Sequence, residues 1–276
     1  MKPVPRLTSV LFALVAVTLC GAGDPELSLV LERLDRLSEL YRDSALSFTC
    51  NERITYRGRG TRQYDYSYLY VLGDDGQPRD LREPKGMSKK RSPEPLGADL
   101  PTYLLRPYSA VFIFQAAKRG RFEYELLGQG EMLGRRAIEV GFSAIPPYVV
   151  GDNAWFGSAW IDRESSQLLR VEAYDPASHE SKLALDQARQ KAAGDRTDPS
   201  SEYQLTRFVV EFDVVKNGMR FPSKVLIEKR KYVLPFDLER DGHRVWSVEQ
   251  AYRRYRFYRS RTEEQIDAFV LQGKKD

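Results

Sequence analysis

The chain has 276 residues, 42% of them hydrophobic, and its 43 lysines and arginines exceed its 39 aspartates and glutamates by a formal net charge of +4. This near balance excludes the strongly basic character that is typical of nucleic-acid-binding domains, so no nucleic-acid partner is expected. The length and apolar content are sufficient for one all-β or α+β domain with a substantial core.

The first 23 residues have the layout of a secretory signal peptide. Lys2 and Arg6 precede an apolar run, Leu7 to Leu19, which at about a dozen residues is shorter than the roughly 20 that a membrane-spanning helix needs. We therefore expect residues 1–23 to be removed and the rest of the chain to be periplasmic or secreted. The alternative is a membrane-anchored lipoprotein lipidated at Cys20, although such signals usually have a small residue just before the cysteine.

The next segment predicts an amphipathic helix of about five turns. Asp24 can cap this helix, with Pro25 at its first position. Apolar residues then recur at spacings of three and four: Leu27, Val30, Leu31, Leu34, Leu37 and Tyr41. We expect this apolar stripe to lie on the core of the domain.

From Ser47 onward the pattern changes to the period of two that is typical of strands. Four tyrosines share one face of a strand: Tyr64, Tyr66, Tyr68 and Tyr70. Residues 79–107 are rich in Pro, Lys, Arg and Gly and predict a long mobile loop. The apolar stretch Ala110 to Ala117 that follows is compatible with a short helix or a strand.

Further strands are predicted at Phe122 to Leu127, Arg135 to Ser143, Trp155 to Asp162, Leu168 to Tyr174, Gln204 to Val215, Phe221 to Lys231 and Val245 to Tyr258. Asn217-Gly218 is a strong hairpin signal. Residues 176–202 predict a mobile insertion with a helix from Ser181 to Ala193. The fold class is mainly β (α+β): one domain over residues 24–276, built as a single curved antiparallel sheet or incomplete β-barrel of about 9 to 11 strands, covered by the N-terminal helix and short helices.

Apolar residues on three of these strands alternate with charged ones and therefore predict a shared face. They are the candidate ligand-binding residues: Ile138, Val140, Phe142, Phe208, Val210, Phe212, Val225 and Ile227. The four tyrosines are a second candidate lining, but a cross-strand ladder that stabilises the sheet is the favoured interpretation.

The sequence contains no motif for nucleophilic catalysis or nucleotide binding, so we expect a protein that is not an enzyme and has no metal or cofactor. The two histidines, His179 and His243, have no second ligand at metal spacing. Cys50 is interpreted as a buried, inert thiol. Five carboxylates on the alternating strands are expected on a solvated outer face: Glu52, Glu139, Asp162, Glu172 and Glu211.

The order of several short signals resembles the LolA/LolB-like periplasmic lipoprotein carriers. The signals are Gly134 to Phe142, Trp160-Ile161-Asp162, Arg170-Val171-Glu172, and Asn217-Gly218 followed by Phe221-Pro222. The resemblance implies an incomplete barrel of about eleven strands whose concave apolar face is covered by helices. It also implies that lipid or the acyl chains of lipoproteins are the partners.

The function expected from these observations is an exported carrier or receptor, a monomer, that holds acyl chains in its concave face. The alternative is a non-catalytic envelope scaffold or protein-interaction module whose core is filled by its own side chains. The arginines around Tyr252, Tyr255 and Phe257 are interpreted as a solvated strand face, with contact to the anionic headgroups of a membrane surface as the alternative.

Overall fold

A computed structural model describes residues 24–42, 47–72, 78–85, 107–148, 154–192, 201–234, 236–237 and 240–258. The predicted signal peptide at 1–23 and most of the predicted loop at 79–107 lie outside these ranges. Within them, no helix is both long enough and apolar enough to cross a membrane.

The described ranges contain helices α1 (Pro25–Arg42) and α2 (Pro176–Ala192), and 3₁₀ helices at Pro107–Phe114 and Ala116–Arg121. The strands in chain order are β1 (Phe48–Arg57), β2 (Thr61–Leu72), β3 (Pro78–Pro84), β4 (Phe122–Met132), β5 (Arg135–Ala144), β6 (Phe156–Asp162), β7 (Leu168–Tyr174), β8 (Ser201–Glu211), β9 (Val214–Lys216), β10 (Met219–Phe221), β11 (Lys224–Leu234) and β12 (His243–Phe257).

Ten of these strands form one antiparallel sheet in the order β3-β2-β1-β12-β11-β8-β7-β6-β5-β4, and β9 and β10 form a separate hairpin. The sheet is curved and unclosed, with β3 and β4 at its two edges. The predicted fold class is therefore confirmed. Most neighbours in the sheet are also neighbours in sequence, but β1 pairs with β12, so the first and last strands lie side by side.

Helix α1 begins where the sequence predicts it. The Asp24 Oδ1 atom accepts hydrogen bonds from the backbone N–H groups of Glu26 and Leu27, at 2.8 and 3.4 Å. The apolar stripe of the helix is buried in the main core through Val30, Leu34, Leu37 and Tyr41. Full burial of one such side chain stabilises a fold by about 1.5–3 kcal/mol.

We call the face of the sheet that α1 covers the inner face, and the opposite face the outer face. The 3₁₀ helix Pro107–Phe114 lies beside α1, with Ala110, Val111, Ile113 and Phe114 buried in the same core. This helix occupies the apolar stretch for which the sequence left helix and strand open. The inner face is thus covered by helical segments, as predicted.

Two predicted segments differ from the structure. Residues 78–84 form edge strand β3, so the predicted loop at 79–107 begins as part of the sheet. In the predicted mobile insertion at 176–202, helix α2 begins at Pro176 rather than Ser181. This helix packs on the outer face, where Leu185 meets Leu205, Tyr232 and Leu234 in a second small core.

Candidate functional site

The structure places all eight predicted ligand-binding residues on the inner face, in one core. They come from β5, β8 with the residue after it, and β11, and none is more than 4% exposed. Val225 lies opposite Val210, and Ile227 lies opposite Phe208, across neighbouring strands. We call these eight residues the apolar floor: Ile138, Val140, Phe142, Phe208, Val210, Phe212, Val225 and Ile227.

Other side chains of the protein close the apolar floor. Trp155 stacks on Phe208 with ring centroids 5.6 Å apart, and Phe114 meets Phe142 edge-on at 5.9 Å. Because aromatic rings in these geometries pack tightly, the floor is filled in this conformation. An apolar ligand would reach it only if part of the helical cover moved.

The tyrosine row lies on the inner face of β2. Tyr66, Tyr68 and Tyr70 are buried, and Tyr64 is half-buried. The Tyr70 hydroxyl donates a hydrogen bond of 2.7 Å to the backbone carbonyl of Tyr41, while Tyr68 meets Tyr252 edge-on at 5.8 Å. These contacts are those of an aromatic ladder that joins the sheet to α1.

The prediction that Glu52 lies on a solvated face is wrong. Its side chain is fully buried on the inner face, where the Arg82 guanidinium binds both carboxylate oxygens at 2.6 and 3.0 Å. The Tyr252 hydroxyl donates a third hydrogen bond to this carboxylate, at 2.7 Å. The sequence signal was available, because Glu52 has the same parity as Phe48 and Ile54, which are also buried.

Burial keeps the thiol and hydroxyl groups around this ion pair in their protonated forms. Burial raises the pKa of the Cys50 thiol, and the nearby Glu52 carboxylate raises it further. Burial likewise raises the pKa values of Tyr68 and Tyr252 well above the ordinary value. These groups therefore stay protonated at neutral pH, and Cys50 is buried and free of any disulfide, as predicted.

The prediction that Asp162 is solvated is also wrong. Its side chain is 2% exposed and lies 3.1 Å from the Arg135 guanidinium. The other three carboxylates are half-buried and have polar partners. Glu139 accepts a hydrogen bond from Ser158. Glu172 forms ion pairs with Arg170 and Arg207, and Glu211 forms one with Arg170.

Glu228 has a similar environment on the outer face, where it is 4% exposed, accepts a hydrogen bond from Arg207 and forms an ion pair with Arg230 at 3.2 Å. Burial alone would raise the pKa of Glu228, but these two guanidinium groups outweigh that effect and hold the pKa below its ordinary value. The cluster is a structural ion-pair network.

The histidines do not form a metal site. His179 stacks on Phe156 with ring centroids 4.1 Å apart, and the His243 Nε2 atom lies 4.0 Å from the Asp237 carboxylate. Within the part of the chain that the structure describes, no group of three or more His, Cys, Asp or Glu side chains could hold a metal ion.

A polar cleft of about 490 Å³ lies where β1, β2 and β12 meet at the end of β3. We call it the outer cleft, since Asn51, Arg53 and Asp65 project into it from the side opposite to Cys50 and Ile54. Its lining consists of Asn51, Glu52, Arg53, Asp65, Tyr66, Lys85, Ala251, Arg253 and Arg254. Sequence reasoning identified the arginines only as a basic strand.

No protein-family model and no curated protein matches the sequence. Several solved structures are similar to this chain in fold, among them the three that follow. A DUF1329 family protein from Desulfovibrio piger is 10% identical, with a TM-score of 0.46 and coverage of 84% of this chain and 93% of that one. A LolA superfamily protein from Nitrosomonas europaea is 13% identical, with a TM-score of 0.38 and the same two coverages.

The third is a putative outer membrane lipoprotein-sorting protein domain from Vibrio parahaemolyticus, 10% identical, with a TM-score of 0.41 and coverage of 88% of this chain and 97% of that one. The superfamily that the sequence resembles is therefore among the structures found. The likeness concerns the fold alone.

Proposed function

We propose that this chain is an exported, non-enzymatic carrier or receptor that takes up acyl chains of lipids or lipoproteins on the apolar floor. The observation that carries the proposal is that this continuous apolar face is covered by helical segments and by the short β9–β10 hairpin, which does not pair with the ten-stranded sheet. A helix can move away from a sheet without breaking any strand pairing.

Burial of an acyl chain and burial of the apolar side chains of α1 contribute similar free energies. Burying one methylene group contributes about 0.8 kcal/mol, so an acyl chain that buries roughly a dozen contributes about 10 kcal/mol. The four buried side chains of α1 contribute about 6–12 kcal/mol at about 1.5–3 kcal/mol each. An acyl chain could therefore replace α1 at little net cost, which is what a reversible carrier requires.

Polar contacts connect α1 to several neighbouring elements within the described ranges. The Arg33 guanidinium donates to the Ser166 hydroxyl at 2.7 Å, and the Tyr41 hydroxyl donates to the Arg220 carbonyl at 2.9 Å. Asp35 accepts a hydrogen bond of 2.6 Å from the backbone of Ala116, which links α1 to the neighbouring 3₁₀ helix. This last contact supports movement of both segments as one cover.

The test uses the exported chain, long-chain fatty acids and mass spectrometry of lipids retained after purification. The substitution Phe212→Glu places a carboxylate on the apolar floor, where an unpaired charge costs several kcal/mol. A folded Phe212→Glu protein should lose both the retained lipid and the thermal shift with fatty acid. The neighbouring substitution Glu211→Gln, on the half-exposed outer side, should change neither.

A second variant tests whether fatty-acid binding and folding stability change independently. Leu34→Ala weakens the packing of α1 by about 2–5 kcal/mol. A looser cover should raise the affinity for fatty acid even as the melting temperature falls, while Glu32→Ala on the exposed side of the same helix should leave both unchanged. If folded Phe212→Glu binds fatty acid normally, the acyl chains do not use the apolar floor.

The filled floor favours a second candidate, a protein-interaction module of the cell envelope. Residues that are at most 4% exposed form a stable core as they stand, without a ligand. In that case Leu34→Ala would lower the melting temperature but produce no binding of fatty acid. The same pair of measurements therefore distinguishes the two functions.

A further inference from the structure

We infer that the outer cleft binds a phosphate-type anion through Arg253 and Arg254. Both residues lie at a bulge that interrupts the regular pairing of β12 with β1. None of the eight residues of the apolar floor belongs to the lining of the cleft, so this site is distinct from the apolar floor. The inference does not depend on the acyl-chain proposal.

The bulge brings two arginines to the same side of one strand. Thr49 pairs with Arg256 and Asn51 pairs with Arg253, so Arg254 and Tyr255 together oppose a single residue of β1. Tyr255 turns inward, where its hydroxyl donates to the Pro222 carbonyl at 2.6 Å. In a regular strand Arg253 and Arg254 would point to opposite faces, but here both are exposed and line the cleft.

The backbone at Arg254 is strained. Its φ of 61° lies in the left-handed region, which glycine adopts readily and side chains with a Cβ atom adopt at a cost. Bulges of this kind commonly have glycine at the left-handed position. An arginine at this position is less stable than a glycine because its backbone is strained, but it adds a positive charge to the cleft. Backbone strain of this kind is often found at functional sites.

The charges of the cleft favour an anion. Two carboxylates belong to its lining, but Asp65 is bound by Arg53 at 2.7 Å and Glu52 is bound by Arg82 from the inner side. Lys85 donates a hydrogen bond to the neutral Asn51 amide oxygen. Among the described residues, no carboxylate lies within salt-bridge distance, 4.0 Å, of Arg253 or Arg254.

The size and the donors of the cleft suit a phosphate group and part of the molecule that carries it. Small-molecule sites usually enclose about 300–1,000 Å³, and this cleft measures about 490 Å³. Guanidinium groups bind phosphate oxygens through paired N–H donors, and two adjacent guanidiniums can share one phosphate. The phosphate could come from a soluble compound or from a lipid headgroup at a membrane surface.

The experiment measures binding of inorganic phosphate by calorimetry at low ionic strength, and binding to vesicles of phosphatidylglycerol compared with phosphatidylcholine. Arg253→Gln and Arg254→Gln should each lower the affinity at least about tenfold, as expected for loss of a charge-assisted hydrogen bond. Arg256→Gln is the matched control, because it removes the same charge from an exposed position of β12 that does not line the cleft. It should change the affinity by less than about twofold.

Arg254→Gly gives a second readout. Glycine relieves the left-handed strain, so the melting temperature should rise while anion binding falls. Saturable phosphate binding that is lost in the cleft variants supports a soluble ligand. Binding to phosphatidylglycerol vesicles alone, lost in the same variants, supports a lipid headgroup. Absence of both, or an equal loss in Arg256→Gln, overturns the inference.

Discussion

Removal of the Arg82 side-chain charge tests how much the ion pair with the buried Glu52 carboxylate contributes to the free energy of unfolding. The substitution Arg82→Met keeps much of the side-chain volume and removes the charge. At about 4 Å and an effective dielectric constant of about 20, two unit charges attract each other by about 4 kcal/mol, and breaking a buried ion pair typically costs about 3–5 kcal/mol. Glu52 would keep the hydrogen bond from Tyr252, so a loss near 3 kcal/mol is expected.

For a chain of this size, such a loss lowers the melting temperature by roughly 6–12 °C. The control is Arg53→Met, because the Arg53–Asp65 pair also involves β1, which it joins to β2, and has a comparable N–O distance of 2.7 Å. Its side chains are 58% and 42% exposed, so solvent screens the pair and the melting temperature should hardly change.

The double variant Glu52→Gln with Arg82→Met removes both charges and keeps an acceptor for Tyr252. It should recover most of the lost stability, since the cost in the single variant comes from the unpaired carboxylate. Urea unfolding of the four proteins gives the free energies directly. If Arg82→Met and Arg53→Met destabilise the protein equally, burial of the Glu52 carboxylate is not the cause.

Three other predictions concern single positions. Because the pKa of Glu228 is lower in the folded state than its ordinary value of 4.5, its stabilising effect is complete above that pH and is lost as the pH falls through the folded value. Urea unfolding of Glu228→Gln should therefore show a deficit near neutral pH that shrinks in acid. Gly218, at a φ of 76° after Asn217 at 51°, forms a type I′ turn, so Gly218→Val should cost about 1 kcal/mol or more, and an unchanged melting midpoint would contradict this. The Cys50 thiol should react with a thiol reagent in a Cys20→Ser chain only after unfolding, and rapid labelling of the native protein would contradict its burial.

Features that depend on short stretches of sequence were predictable. Asp24 and the stripe from Val30 to Tyr41 define α1 within its own residues, and the alternation on β5, β8 and β11 places the apolar floor on one face. The positive φ values at Asn217 and Gly218 follow from the chemistry of that dipeptide. In each case the feature depends on residues that are close in sequence or that recur with the period of a helix or a strand.

Features that depend on distant partners were missed. β3 contains prolines and charged residues, a composition typical of an edge strand as well as of a loop, so only its pairing with β2 identifies it. Glu52 has the strand parity of the buried residues Phe48 and Ile54, but its partner Arg82 lies on β3, 30 positions later, so the sequence does not show that this charge is paired.

The position of α2 had a local signal. On β11 the apolar residues occupy odd positions at Val225 and Ile227 but even positions at Tyr232 and Leu234. This change of phase moves apolar side chains to the outer face, where α2 then covers them. For the outer cleft, the sequence shows the arginines but not the bulge that turns both of them outward.

The side-by-side position of β1 and β12 sets the order in which the protein can fold. Ile54 pairs with Gln250, about 200 positions later, so this part of the sheet cannot form until the last strand has been synthesised. Contacts of such long sequence separation slow folding, because the chain must close a large loop before they stabilise anything. The hairpins from β4 to β7 and the neighbouring strands β1, β2 and β3 can each form early, but the two groups join in one sheet only when β12 pairs with both β1 and β11. Until then, the edges of β1 and β11 that β12 later joins remain unpaired.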